Sequence, residues 1–277
     1  MKITLHHYSN LQIDGLLPRD VWVWTPPQYE HNPTFHFPVI YMHDGQNLFI
    51  PKKSFTHVTW GVAETITKLS NWGFIHPAIV VGIDNTENRF GDYLPTRPFD
   101  TVEGEAYLEK IKQEAPEELD RTRFVADRYL KLIVDVIKPR VDGDFRTLPD
   151  LENTFVMGSS LGGLISLYAL VEYPHIFGGA GCFSTHWPAL SMLTAPYLQT
   201  YLPEAGNHKL YFDHGTADLD AAYQPIQQEV DAIMRQKGYT FGRDWLTRVA
   251  PGAIHHEQAW RGRFHVALRF LLGTHSG

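Results

Sequence analysis

Residues 154–170, TFVMGSSLGGLISLYAL, constrain the fold more than any other stretch of this chain. Thr154-Phe155-Val156-Met157 is a short apolar run that reads as a buried strand. It runs into Gly158-Ser159-Ser160-Leu161-Gly162, and an apolar, helix-forming segment follows as far as Tyr173-Pro174. Strand, G-x-S-x-G, helix is the pattern of a nucleophile elbow, a sharp turn that lifts a serine hydroxyl above a sheet. Small residues flank the serine because the strand and helix backbones approach closely there. The turn also aims a helix N-terminus at the reacting carbonyl. Ser160 is therefore the expected nucleophile.

An elbow of this kind needs a sheet around it. Ile3 to Tyr8 and Asp20 to Trp24 read as strands, the second closed by Thr25-Pro26-Pro27. Phe37 to Met42 and Ala78 to Ile83 are short runs rich in Val and Ile, as buried parallel strands tend to be, with helical spacing between them from Gly61 to Trp72. Phe155 to Met157, Ala180 to Phe183, Leu210 to Phe212 and Trp245 to Val249 continue the series, with helical stretches between. This alternation predicts an α/β fold: a mostly parallel central sheet with helices on both faces. A chain of 277 residues, 43% hydrophobic, suits a single domain spanning 1–277. Residues 86–125 are too long for a plain connection and read as an insertion over the C-terminal edge of the sheet, where ligands of such folds bind. A helix from Ala126 to Arg140 follows and leads into the elbow strand.

Charge and cysteine content narrow the partners. The net charge is −7, and no Arg-rich run is present, which argues against nucleic acid. The single cysteine, Cys182, cannot form an internal disulfide and lies in an apolar run, so it is expected in the core. No apolar run approaches transmembrane length, and the start, MKITLHHYSN, lacks the apolar core of a signal peptide. A cytoplasmic protein with no membrane partner is the simplest expectation.

A serine is a weak nucleophile until a base takes its proton. In the α/β-hydrolase fold the base and its acid partner follow in the order Ser, Asp or Glu, His. The last predicted strand ends in Ala250-Pro251-Gly252-Ala253-Ile254-His255-His256-Glu257, and a histidine just after the final strand is where the base belongs. His255 is the expected base and His256 its adjacent rival. The strand Leu210-Tyr211-Phe212 opens into Asp213-His214-Gly215-Thr216-Ala217-Asp218-Leu219-Asp220. Asp213 still lies on the strand and suits a supporting role, whereas Asp218 and Asp220 can each be the acid or the N-cap of a following helix. The oxyanion needs two donors. One is the N–H of Leu161, after the nucleophile. The other is expected in the loop His43-Asp44-Gly45-Gln46-Asn47-Leu48-Phe49, from the N–H of Gln46. Neither an H-E-x-x-H pattern nor Cys/His spacing suggests a metal.

Four ordered motifs, Y-M-H-D-G-Q-N-L-F (41–49), G-S-S-L-G-G (158–163), Y-F-D-H-G-T-A-D-L-D (211–220) and G-A-I-H-H-E-Q-A-W-R-G-R (252–263), resemble the esterase-D-like family of α/β-hydrolases. That group includes feruloyl and enterochelin-type esterases, and the resemblance runs from Pro18-Arg19-Asp20-Val21 to the end of the chain. It implies carboxylic-ester hydrolysis without a cofactor, through Ser160 and His255, with the N–H of Gln46 as oxyanion donor. For the acid, the pattern D-H-G-T-x-x-L-D of similar members points to Asp220 and other branches of the family point to Asp218, so both stay open with the lean toward Asp220; Glu257, Trp260 and Arg263 match residues downstream of the family's histidine. His256 stands where relatives often carry Asn.

The substrate side is expected to involve Asp44, Arg89, Tyr93 and Trp187, with Trp60 and Trp260 behind them. Arg89 and Tyr93 suit a polar or anionic ester, and Trp187 an aromatic wall. The partner is thus a small-molecule ester, in an oligomeric state that the sequence does not set. Two other functions use the same residues: acyl transfer to an alcohol other than water, and ligand binding without turnover on the same fold.

Overall fold

In the computed structural model, which describes residues 4–114 and 121–274, the eight expected strands form one sheet. They are β1 (Leu5–Leu11), β2 (Arg19–Trp24), β3 (Val39–His43), β4 (Ile79–Ile83), β5 (Thr154–Ser159), β6 (Gly179–Phe183), β7 (Lys209–Gly215) and β8 (Trp245–Ala250). Their order is β1-β2-β4-β3-β5-β6-β7-β8. Strand β2 runs antiparallel to β1 and β4, and every pairing from β4–β3 through β7–β8 is parallel.

Alternation along the central strands builds two cores. On β3, Val39 and Tyr41 join one apolar cluster while Ile40 and Met42 join the other, as period-2 side-chain direction requires. The first cluster takes Tyr129, Leu130, Ile165 and Tyr223 from helices and turns on its side, and the second takes Ile66, Phe264 and Leu268. Both faces of the central strands are therefore buried, which is why these segments read as apolar runs rather than alternating ones. Cys182 is fully buried in the first cluster, and burial pushes its thiol pKa up.

The helix expected over Ala126 to Arg140 runs further, to Asp144, and carries a π-helical turn at Ile133–Ile137. Pro139 explains the irregularity. It has no N–H to donate and its ring crowds the carbonyl four residues back, so the turn before it widens.

The described part of the segment 86–125 packs against the sheet's helices at Thr96 and Arg97. It holds the helices Arg89–Tyr93 and Val102–Glu114 and short 3-10 turns at Arg97–Phe99 and Arg121–Arg123, while residues 115–120 of the segment lie outside the described residues. Arg97 pairs with Glu172 at 2.9 Å, and the Arg97 N–H and Thr96 Oγ1 both meet the Tyr168 hydroxyl. These contacts tie the segment to the helix that leaves the elbow.

The chain reverses its building direction at β3, which has β4 on one side and β5 on the other. Loops leaving the C-terminal ends of β3 and β5 diverge there, and ligands of open α/β sheets bind in such crevices.

Candidate active site

Ser160 occupies the junction between β5 and the helix Leu161–Glu172 with φ 59° and ψ −125°, a strained conformation for a side-chain-bearing residue. The strain is held from both sides. The Ser160 N–H donates to the Phe183 carbonyl on β6 at 2.9 Å, and its carbonyl accepts from the His186 N–H at 3.1 Å. Gly158 is required because a Cβ there would stand 2.6 Å from the Gly162 carbonyl oxygen. Leu161 is the first residue of the helix, where N–H groups have no partner one turn back.

The loop after β7 settles the geometry of the two competing aspartates. Asp220 is fully buried, and its Oδ1 accepts a hydrogen bond from His255 Nδ1 at 2.6 Å. Its Oδ2 accepts from Ser184 Oγ at 2.6 Å and from the Gly215 N–H at 2.5 Å. Burial works to raise the Asp220 pKa, but these three donors outweigh it and hold the carboxyl below its usual range. Asp218, by contrast, is exposed and sits at φ 56°, in the turn that swings Asp220 inward. Because the Asp220 carboxylate can only accept, His255 donates from Nδ1 and keeps Nε2 as a lone pair. His256 caps the final helix, Glu257–Leu272, accepting from the Gln258 N–H at 3.1 Å.

The loops after β7 and β8 are stitched together. The Thr216 and Ala217 N–H groups both donate to the Ala253 carbonyl at 3.2 Å, and the Gly252 N–H donates to Thr216 Oγ1 at 2.8 Å. A Cβ on Gly215 would overlap that same Ala253 carbonyl. Behind Asp220, Ser184 Oγ accepts from Trp260 Nε1 at 2.9 Å and from Arg263 Nη2 at 3.2 Å. Arg263 in turn grips Asp213, on β7, through Nε and Nη2, both at 2.9 Å. The Trp260 ring stands edge-on to His255 at 5.0 Å and stacks on Trp60 at 5.9 Å.

The loop after β3 carries Gln46 on a short 3-10 turn, Gly45–Asn47. Asp44 precedes it in the left-handed region, at φ 56°. Arg89 reaches from the 86–125 segment and grips Asp44 with Nε and Nη2, both at 2.7 Å, and Asn85 Nδ2 adds a third bond at 2.6 Å. Burial favours the neutral acid, yet the Arg89 charge and these bonds keep Asp44 below the usual carboxylate range. Asn85 also donates its N–H to Gln46 Oε1 at 3.2 Å. Asp44 is thus spoken for: it orders its own loop.

Two substrate-side expectations change. Tyr93 is fully buried, its hydroxyl accepting the Asp44 N–H at 3.2 Å with the Arg89 guanidinium 5.1 Å from its ring centre; it supports the pair from beneath. Trp187 is 1% exposed and packs 6.1 Å from the Phe212 ring, among Leu164, Leu167 and Tyr168. The turn Trp187–Ala189 puts its ring in the core instead of on an open wall.

Three residues escaped the sequence reading. Ser184 buttresses Asp220, and His186 stands beside Ser160 with Nδ1 2.8 Å from the Tyr223 hydroxyl. Tyr223 packs edge-on to His255 at 6.0 Å. Burial, with His255 and Arg89 nearby, pushes the His186 pKa down to about 4. The signal was available for the first two: Ser184-Thr185-His186 directly follows β6 at the sheet edge where function gathers.

Among known proteins, the family model described as "Putative esterase" matches residues 18–271. The chain belongs to this esterase family. It is accordingly an esterase-type hydrolase with the α/β-hydrolase fold. It is 23% identical over 264 residues to the uncharacterized protein YbbA of Bacillus subtilis (strain 168), covering 91% of each chain. A ferulic acid esterase superposes with TM-score 0.67 at 14% identity, covering 98% of this chain and 99% of that one. The enterobactin esterase FES from Shigella flexneri, crystallised with enterobactin, superposes with TM-score 0.71 at 18% identity, covering 98% of this chain and 59% of its own. Likenesses at this identity concern the fold. Among the described residues of this esterase no helix is long and apolar enough to cross a membrane.

Proposed function

We propose that the protein hydrolyses small-molecule carboxylic esters through an acyl-enzyme on Ser160, with His255 as general base and Asp220 as the acid that orients it. One observation carries this reading. His255 donates from Nδ1 to a buried, ionised Asp220, on loops leaving β7 and β8, while Ser160 sits strained at the end of β5 in the same sheet edge. That tautomer leaves Nε2 free to accept a proton.

In the first step Nε2 takes the Ser160 hydroxyl proton as Oγ bonds to the ester carbonyl carbon. Asp220 stays ionised and stabilises the imidazolium. The carbonyl electron pair moves onto oxygen, held by the N–H groups of Leu161 and Gln46. The carbon–oxygen bond to the alcohol then breaks, and the alcohol leaves with the proton from His255. Water repeats the sequence on the acyl-enzyme: His255 takes its proton, the acid forms, and Ser160 recovers its hydrogen. The Arg89–Asp44 grip acts on this step indirectly, by holding the loop that carries Gln46. No part of the scheme uses a cofactor.

A fluorophosphonate probe tests the assignment of the nucleophile. The adduct should form on one site, and peptide mapping should locate it at Ser160. An unlabelled protein, or an adduct on another residue, overturns the proposal.

A further inference from the structure

His186 follows β6 next to the elbow, and the hydrolytic scheme leaves its imidazole unused. Its backbone N–H is bonded to the Ser160 carbonyl at 3.1 Å, so its position is locked to the elbow itself. Its ring is half-buried, and Nδ1 lies 2.8 Å from the Tyr223 hydroxyl. A phenol is a stronger donor than acceptor, and an imidazole nitrogen the reverse, so Tyr223 donates and Nδ1 accepts. The hydrogen of the neutral ring then sits on Nε2. Among the described residues, Nε2 has no hydrogen-bond partner and is not a sealed interior atom.

We infer that His186, fixed by Tyr223 as an Nε2–H donor, is a specificity-determining residue that binds an acceptor oxygen on the ester substrate. The inference rests on Ser160 being the nucleophile. Burial first, and then its neighbours, keep the ring a neutral donor rather than a cation. The charged and titratable groups around it are Arg89, His255 and Tyr223, and two of these, Arg89 and His255, disfavour a second positive charge. Arg89 spends Nε and Nη2 on Asp44, so His186 Nε2 adds a neutral donor beside that ion pair. A substrate that uses it carries a hydroxyl or carbonyl oxygen near the scissile ester; a plain alkyl ester leaves the donor unmatched, which costs binding.

The test compares 1-naphthyl 3-hydroxybutyrate with 1-naphthyl butyrate, in the wild-type protein and in His186→Phe, His186→Gln and Tyr223→Phe. Wild type is expected to favour the hydroxylated ester in kcat/KM by about three- to tenfold, the range of one neutral hydrogen bond. In His186→Phe that ratio should fall to near one, and the loss should sit in KM. His186→Gln, which keeps an N–H donor, should recover part of the ratio, and Tyr223→Phe should lower it by freeing the tautomer. A ratio that survives His186→Phe, or that is near one in wild type, overturns the inference. So does His186→Gln behaving as His186→Phe does. Fluorophosphonate labelling of the same preparations separates the two levels. Labelled Ser160 with an unaltered ratio defeats the role of His186 alone, whereas unlabelled wild-type protein defeats the esterase mechanism and this inference with it.

Discussion

Asp218 and Asp220 differ by two positions in one loop, yet only Asp220 meets His255. Either spacing suits an acid after a strand, and the residue types are identical. The choice is made by a backbone torsion, φ 56° at Asp218, which leaves that side chain exposed and turns Asp220 under the histidine. No side-chain pattern announces a positive φ at an aspartate, so motif resemblance could favour Asp220 but residue chemistry could not. The same limit explains Trp187. An aromatic beside the elbow reads equally as wall or core, and the turn that buries it is a tertiary feature. An Asp220→Asn substitution presents an amide to Nδ1 and favours the wrong tautomer. Steady-state kinetics should show kcat reduced by about 10⁴-fold. Asp218→Asn, at an exposed site, should leave kcat within about twofold by the same assay, as surface changes generally do.

Among elements, the central strands were legible because burial on both faces leaves few polar positions to interrupt the apolar runs. All eight were visible, including the antiparallel β1 and β2. Strand ends were less so. β7 continues through Asp213-His214-Gly215 because these residues pair with Arg248, Val249 and Ala250 of β8, a partnership distant in sequence. Gly215 reads locally as a turn glycine, but its role is to let the acid loop approach the base loop. Gly215→Ala should force Ala253 away and separate Asp220 from His255. We expect a loss of about 1–3 kcal/mol in stability by urea denaturation, the usual cost of overpacking. The fall in kcat/KM should exceed tenfold, since the triad geometry tolerates little displacement. Wild-type values for both would refute the contact as the reason for glycine.

For the whole molecule, the buried polar layer beneath the cleft sets a pH dependence. His43 is buried with Nδ1 2.6 Å from the Tyr129 hydroxyl, and Arg19 pairs with Asp92 at 3.2 Å with both side chains almost wholly buried. Burial first, then Arg89 and Arg19, push the His43 pKa down to about 3, with Asp44 opposing. In the unfolded chain the imidazole returns to about 6.5. Between these values the unfolded state binds a proton that the folded state refuses, so stability falls as pH drops below about 6.5 and is fully present above it. The slope is up to about 1.4 kcal/mol per pH unit for each such group, and His186 adds to it. Urea midpoints between pH 5 and 7 should decline more steeply in wild type than in His43→Gln. Equal slopes would show that His43 is not held neutral by the fold. This layer was invisible in the sequence, where His43 reads only as the start of a loop.

The central claim is that Ser160 attacks the ester. Turnover of p-nitrophenyl acetate by purified Ser160→Ala, shown by circular dichroism to be folded, measures it most directly. The account predicts a fall in kcat of at least about 10³-fold, to the residual rate that oxyanion donors and binding alone can sustain. Wild-type turnover by the folded variant would contradict it.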